Sequence, residues 1–328
     1  MTYQNRGNRL IFVGGSPRSG TTLVQNMLDS HPDICGAPEF FCIPDILKVR
    51  DNLHELISFE WIDTICSYED VDRCIASLIE NLLLPLADRH GRTFLSEKTP
   101  RNVLVFSDLM NLFPGARFIH IVRDPRAVIA SLLQVGKRQK EKGKKVPDYT
   151  SNVVAAIKHV KEHLHAGLAA SEASPGRVLT LVYEKFVTEP EKQTKRLCQF
   201  LEIPWSEAMM YPGRKKHLGE KAQTSGRAEG IWYDTSTYNR DPERSEINKW
   251  QTQLTPVQKV MITKAFGDIE GLKQFGYNLT LKDVPHISRG LGFTLAMLQT
   301  MLSRTMNLTR RLRSIASPVR RVLGQIGL

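Results

Sequence analysis

The short apolar run Leu10-Ile11-Phe12-Val13 breaks at Gly14-Gly15 and leads into Ser16-Pro17-Arg18-Ser19-Gly20-Thr21-Thr22, after which apolar residues recur at helical spacing through Leu28. A run of this kind ending on glycines predicts a buried strand, and the recurrence after the loop predicts a helix. Between them the glycines at 15 and 20 have the spacing of an anion loop, in which backbone N–H groups and the positive end of the helix hold a phosphate or sulfate. The same order returns downstream. Phe118-Ile119-His120-Ile121-Val122 reads as a buried strand before Arg123-Asp124-Pro125, and a helix restarts from Ala127 to Leu133 with Pro125 near its start. Val178 to Val182 predicts a third strand. Strands that alternate with helices imply a parallel sheet covered on both faces.

This gives a three-layer α/β chain of the P-loop NTPase-like kind with a central parallel sheet. Arg18 and Arg123 then fall at the carboxyl ends of neighbouring strands, and a nucleotide lies across those ends. The loop departs from a nucleoside triphosphatase at one informative place. Where such an enzyme carries lysine, this chain has Thr21, so Arg18 inside the loop must supply the positive charge. That departure points away from ATP hydrolysis.

With 328 residues and 41% hydrophobic content, the chain is long enough to bury a sizeable core. Its formal net charge of +11 favours anionic partners without choosing among nucleotides, nucleic acid, glycans or a membrane surface. Five cysteines, Cys35, Cys42, Cys66, Cys74 and Cys198, show neither a paired motif nor zinc spacing, which fits free thiols in a reducing compartment. The polar start of the chain carries no signal-peptide pattern, so the expected location is cytoplasmic. Residues 43 to 90 read as mainly helical, residues 138 to 145 as a basic surface loop, and residues 151 to 171 as a helix. The domain boundary falls at 283. Residues 284 to 328 hold seven arginines and no acid, interleaved with Leu, Met and Ile, and read as a basic amphipathic helical tail suited to peripheral membrane contact.

Pro-Arg-Ser-Gly-Thr-Thr after a strand resembles the 5′-phosphosulfate loop of sulfotransferases that use 3′-phosphoadenosine 5′-phosphosulfate (PAPS). The following Met27-Leu28-Asp29-Ser30-His31-Pro32-Asp33 is most similar to the tyrosylprotein sulfotransferase branch. Arg123-Asp124-Pro125-Arg126 after a strand, with Ser131 eight residues beyond Arg123, resembles the element with which the family grips the nucleotide 3′-phosphate. The resemblance implies a nucleotide site of Arg18, Ser19, Gly20, Thr21, Thr22, Arg123, Ser131 and Tyr183. Thr235 and Lys249 match its late covering loop. It implies Glu39 as the base on the acceptor hydroxyl, Lys98 and Arg18 on the leaving group, PAPS as donor and 3′,5′-ADP as product, with no metal. Pro38 stands where that branch has a second acid, which leaves a protein tyrosine, a glycan or a small molecule open as the acceptor. Cys35 lies near a half-cystine position of that branch, yet Leu95-Ser96-Glu97-Lys98 carries no partner cysteine.

Two other classes remain as alternatives. One is a P-loop kinase or nucleotide hydrolase, disfavoured by Thr21 and by the lack of a strand ending in a magnesium-binding Asp. The other is a membrane- or nucleic-acid-binding protein driven by the basic tail, although no nucleic-acid recognition module is visible. His31 and His120 read as structural residues. His159 and His163 share a helix face, but no metal site is expected there or elsewhere.

Overall fold

A computed structural model describes residues 7–225, 229–233, 238 and 240–280. The chain divides into two units, residues 1–251 and 252–328. Thr235 and the arginine-rich tail lie outside the described residues.

The first unit is built on five parallel strands: β1 (Leu10–Gly15), β2 (Ile34–Gly36), β3 (Phe94–Lys98), β4 (Arg117–Val122) and β5 (Val178–Val182), in the order β2-β3-β1-β4-β5. β1 is central, as its fully buried sequence requires. Successive side chains leave a strand on opposite faces, and the two faces feed two separate apolar clusters. Leu10, Phe12, Leu95, Phe118 and Val178 join one with Phe106 and Phe113; Ile11, Val13, Ile119, Ile121, Leu179 and Leu181 join the other with Val24, Met27, Leu28, Phe186 and Leu197. The first face is covered by α2 (Ile43–Ser58), α3 (Tyr68–Arg89), α4 (Phe106–Leu112) and α7 (Val153–Ala173). The second is covered by α1 (Thr21–Asp29), α8 (Tyr183–Thr188) and α9 (Pro190–Leu201). This is the expected three-layer α/β architecture. Phe12 and Phe118 stack at 5.5 Å between centroids, and each such side chain contributes about 1.5–3 kcal/mol by leaving water.

Helix boundaries follow local chemistry. α3 opens with a capping box in which Ser67 Oγ accepts the Asp70 N–H and Asp70 accepts the Ser67 N–H. α5 (Pro125–Glu141) starts with Pro125 in its first turn while Asp124 accepts the Arg126 N–H at 2.8 Å. It continues through Arg138 and Lys140, so the first part of the expected basic loop is helix, ended by cations that suit a helix C-terminus. A single turn, α6 (Asp148–Ser151), precedes α7, which begins at Val153 because Asn152 caps the Ala155 N–H. In the second unit, the helix Pro256–Phe266 opens with its own capping box from Thr255 and Gln258.

Candidate functional site

Because every strand runs the same way, the carboxyl ends of β1, β3, β4 and β5 open on one edge of the sheet. Gly15 ends β1 at φ 152°, where a Cβ would lie 2.6 Å from the Ile121 carbonyl oxygen, so only glycine lets β1 and β4 run this close. Gly20, at φ 101°, caps α1, and the Tyr183 ring fills the space a side chain would need, 2.3 Å from an added Cβ. Arg18 adopts the left-handed region at φ 73° without being glycine, a conformation kept only where surroundings fix it. Its Nε donates to Ser131 Oγ at 3.0 Å, its Nη1 donates to the Trp232 carbonyl at 3.0 Å, and its guanidinium lies 4.3 Å from the Tyr233 ring centroid.

Arg123, one residue beyond β4, points back across the loop. Its Nη1 donates to the Arg18 carbonyl at 3.1 Å, its Nη2 to the Glu246 carbonyl at 2.9 Å, and its guanidinium stacks 4.0 Å above the Tyr183 ring. Two buried donors here have no hydrogen-bond partner among the described residues: Arg123 Nε and Ser19 Oγ. Buried polar groups without partners are uncommon in folded proteins, and a pair of donors beside a glycine loop fits an oxyanion.

Two charged residues, Glu97 and Lys98, end β3. Phe12 and Val13 lie opposite Glu97 and Lys98 in register, so the two charged residues of β3 leave the sheet on opposite faces. Lys98 points to the α1 side, donating to Thr22 Oγ1 at 3.2 Å and forming a close ion pair with Glu39. Tyr233 adds its hydroxyl to the same Thr22 oxygen at 3.1 Å. Lys98 is buried and Glu39 is nearly so, with side-chain exposures of 3% and 12%. A buried ion pair of this kind is expensive to desolvate and weak as a source of stability, so stability does not account for it.

Glu97 points to the other face and is fully buried. One oxygen accepts the Phe40 N–H at 2.9 Å and the Thr99 hydroxyl at 2.6 Å; the other accepts the Asn102 amide. Burial raises its pKa to about 7 and Glu39 adds to the rise, against the Thr99, Phe40 and Lys98 contributions. On the sheet's α1 side, Asp29 binds the Gly36 N–H at 2.7 Å and His217 Nδ1 at 2.6 Å. Burial pushes its pKa up, but the His217 and Gly36 hydrogen bonds and the Lys215 charge bring it below the usual carboxylate range.

The residues expected from sequence therefore meet: Arg18, Ser19, Gly20, Thr21, Thr22, Glu39, Lys98, Arg123, Ser131 and Tyr183 occupy one strand-end edge. Lys249 lies beside it through an ion pair with Glu246, whose carbonyl receives Arg123. Sequence reasoning missed Trp232, Tyr233, Glu246 and the networks of Glu97 and Asp29. All are long-range partners with no local pattern, except that Ser96-Glu97-Lys98-Thr99 is conspicuously polar for a strand at the centre of a parallel sheet. His31 is structural, with Nε2 2.7 Å from the Pro204 carbonyl, and His120 is sealed inside, its pKa driven by burial to about 3. Donor atoms of His159, Glu162 and His163 lie within 4.8 Å of one another and are the described group that could hold a cation. His163 Nδ1 faces the His159 carbonyl at 2.9 Å, and burial brings the His159 pKa down to about 3.

Comparison with known proteins places the chain. The sulfotransferase family model matches residues 10–207. A protein-tyrosine sulfotransferase of Drosophila melanogaster is 31% identical over 63% of this chain, protein-tyrosine sulfotransferase 1 of Danio rerio 31% over 63%, and protein-tyrosine sulfotransferase 1 of Homo sapiens 30% over 75%. The matched regions span 40%, 57% and 64% of those relatives' own lengths. Among solved structures, the sulfotransferase domain from the curacin biosynthetic pathway superposes with a TM-score of 0.53 at 20% identity, covering 82% of this chain and 98% of that domain. The sulfotransferase domain of the Synechococcus PCC 7002 olefin synthase gives 0.51 at 21% identity, covering 83% and 95%. These two share the fold.

Proposed function

The chain belongs to the sulfotransferase family, and from that premise we propose that it transfers a sulfuryl group from PAPS to an acceptor hydroxyl by in-line displacement, with Glu39 as base and Lys98 on the leaving group. The observation that carries this reading is the Lys98 ammonium held between the Glu39 carboxylate and the Thr22 hydroxyl of the anion loop. It joins a proton acceptor to the place where a 5′-phosphosulfate would sit.

In this mechanism the loop N–H groups, Arg18 and the Ser19 hydroxyl hold the phosphosulfate. Arg123 and Ser131 take the 3′-phosphate beside Tyr183, and Thr235 and Lys249 belong to the segment that covers the nucleotide. Glu39 removes the proton from the acceptor oxygen as that oxygen bonds to sulfur. The bond from sulfur to the bridging oxygen breaks, its electron pair leaves with 3′,5′-ADP, and Lys98 and Arg18 neutralise the charge that develops there. Positioning and electrostatic neutralisation supply the rate enhancement. A sulfate ester carries less charge than a phosphate, so side-chain cations fill the role a metal plays in phosphoryl transfer.

The relatives' name supports a protein tyrosine as the first acceptor to test, ahead of glycans and small hydroxyl compounds. For location we propose a reducing compartment with membrane contact through the tail. All five cysteines are free thiols, and burial raises the pKa of Cys198 to about 11. Among the described residues no helix is long and apolar enough to cross a membrane.

Calorimetry of 3′,5′-ADP against magnesium-ATP tests the assignment. Metal-independent binding of 3′,5′-ADP that weakens on the order of 10²-fold in Arg123→Ala is the expected result, equal to the roughly 3 kcal/mol of a charge-assisted contact to phosphate. Preference for magnesium-ATP would overturn it in favour of a nucleotide kinase or hydrolase.

A further inference from the structure

Resting on the assignment of Glu39 and Lys98 to the chemistry, we propose that Glu97 is the positioning residue of the reaction, its buried carboxylate fixing the backbone on both sides of that pair. The two reactive side chains come from segments far apart in sequence, the loop after β2 and the end of β3. Glu97 touches both. Its Oε1 takes the N–H of Phe40, the residue next to Glu39, and the hydroxyl of Thr99, the residue next to Lys98. Its Oε2 takes the amide of Asn102, at the start of the 3-10 turn that leads away from the site. Three donors converge on one carboxylate with no exposure to water. Each satisfied bond inside such a network is stronger than at a surface, and a partly satisfied one is worse than none. No part of Glu97 faces the anion loop, since it leaves β3 on the face opposite Lys98. It acts through its neighbours.

The ionised carboxylate, an acceptor at both oxygens, matches these three donors. A proton on Oε1, the oxygen that holds both the Phe40 N–H and the Thr99 hydroxyl, would compete with those donors and loosen the Glu39 or the Lys98 side. The charges acting on it are Glu39, from the loop after β2, which raises its pKa, and Lys98, from its own strand, which lowers it. Turnover should therefore carry a limb that rises with pH as Glu97 ionises.

The test compares Glu97→Gln, Thr99→Val and the exchanged pair Glu97→Gln with Asn102→Asp. Glu97→Gln keeps the shape but removes the carboxylate charge from the network; the exchange returns a carboxylate to it, opposite the new amide. The expected result is 3′,5′-ADP binding within about threefold of wild type in all three, with kcat reduced by up to on the order of 10²-fold in Glu97→Gln, the scale of a misplacement near 1 Å. KM for PAPS should change little, the rising pH limb should be lost, and kcat should recover in the exchanged pair. Thr99→Val, which deletes one donor while nearly preserving volume, gives a smaller kcat loss and serves if Glu97→Gln does not fold. Wild-type kcat and an unchanged pH limb in Glu97→Gln, or in Thr99→Val should that be the folded variant, would overturn the proposal. Glu39→Gln, run alongside, separates the premise. If it retains wild-type turnover, the assignment of the base fails and the positioning role falls with it, whereas its loss of turnover together with an unaffected Glu97→Gln overturns the positioning role alone.

Discussion

A carboxylate sealed from water and titrating near neutrality links folding to pH in one direction. Glu97 has an ordinary pKa of 4.5 and a folded value of about 7. Between those values the folded protein binds a proton that the unfolded chain has released, so this residue's contribution is fully present below about 4.5 and is lost as pH rises through 7. A displacement of this size corresponds to about 3 kcal/mol. His120 and His159, both lowered to about 3, act in the opposite sense, withdrawing stability as pH falls below 6.5. They are common to wild type and variant. The difference in unfolding free energy between wild type and Glu97→Gln, measured by urea denaturation from pH 5 to pH 8, should therefore isolate Glu97. It is expected to shift by about 3 kcal/mol in favour of the variant as pH rises. Parallel profiles would mean that the carboxylate keeps an ordinary pKa in the fold. The ionised form that the site needs is the form the fold tolerates least, which is how functional sites carry instability.

At the scale of elements, the loop from Gly15 to Thr22 depends on contacts made by other strands. Gly20 combines a left-handed backbone with the Tyr183 ring at the distance where a Cβ would sit, and that ring carries Arg123 on its face. Gly20→Ala is expected to lose on the order of 2–4 kcal/mol of stability from strain and overlap together. It should also weaken 3′,5′-ADP binding, because moving the ring moves the arginine. A melting curve and a calorimetric titration check both; a fully stable, tightly binding variant would show that the loop adapts. The same elements explain what could be read in advance. β1, β4 and β5 are nearly continuous apolar runs and declare themselves as buried parallel strands. β3 reads Phe-Leu-Ser-Glu-Lys, too polar for that signal, because its polar residues are held by Gln25, Asn102 and Glu39 from elsewhere. β2 has three residues and is set by pairing with β3. Arg18 and Arg123 were legible from their motifs. Tyr233 and Glu246 were not, since they reach the site from more than 100 residues away and follow no spacing rule.

Across the whole chain, positive charge is uneven along the sequence. The strand-end site lies on the sheet of the first unit, whereas residues 284 to 328 supply seven arginines and no acidic residue; removing them takes the formal net charge from +11 to +4. Near an anionic bilayer each basic residue contributes about 1 kcal/mol, screened within a Debye length of about 8 Å at physiological salt. The apolar residues between the arginines would add a salt-insensitive part. A chain ending at residue 283 is therefore expected to bind 3′,5′-ADP with an affinity within about twofold of the full chain, a difference below half a kcal/mol. It should also lose retention on vesicles containing phosphatidylserine, a retention that in the full chain weakens as salt rises. Vesicle sedimentation beside calorimetry reads both quantities. If the shortened chain keeps its hold on vesicles, the membrane-contacting surface belongs to the remaining 283 residues. If it loses the nucleotide, the tail is part of what folds the site, and the boundary at 283 must move toward the chain end.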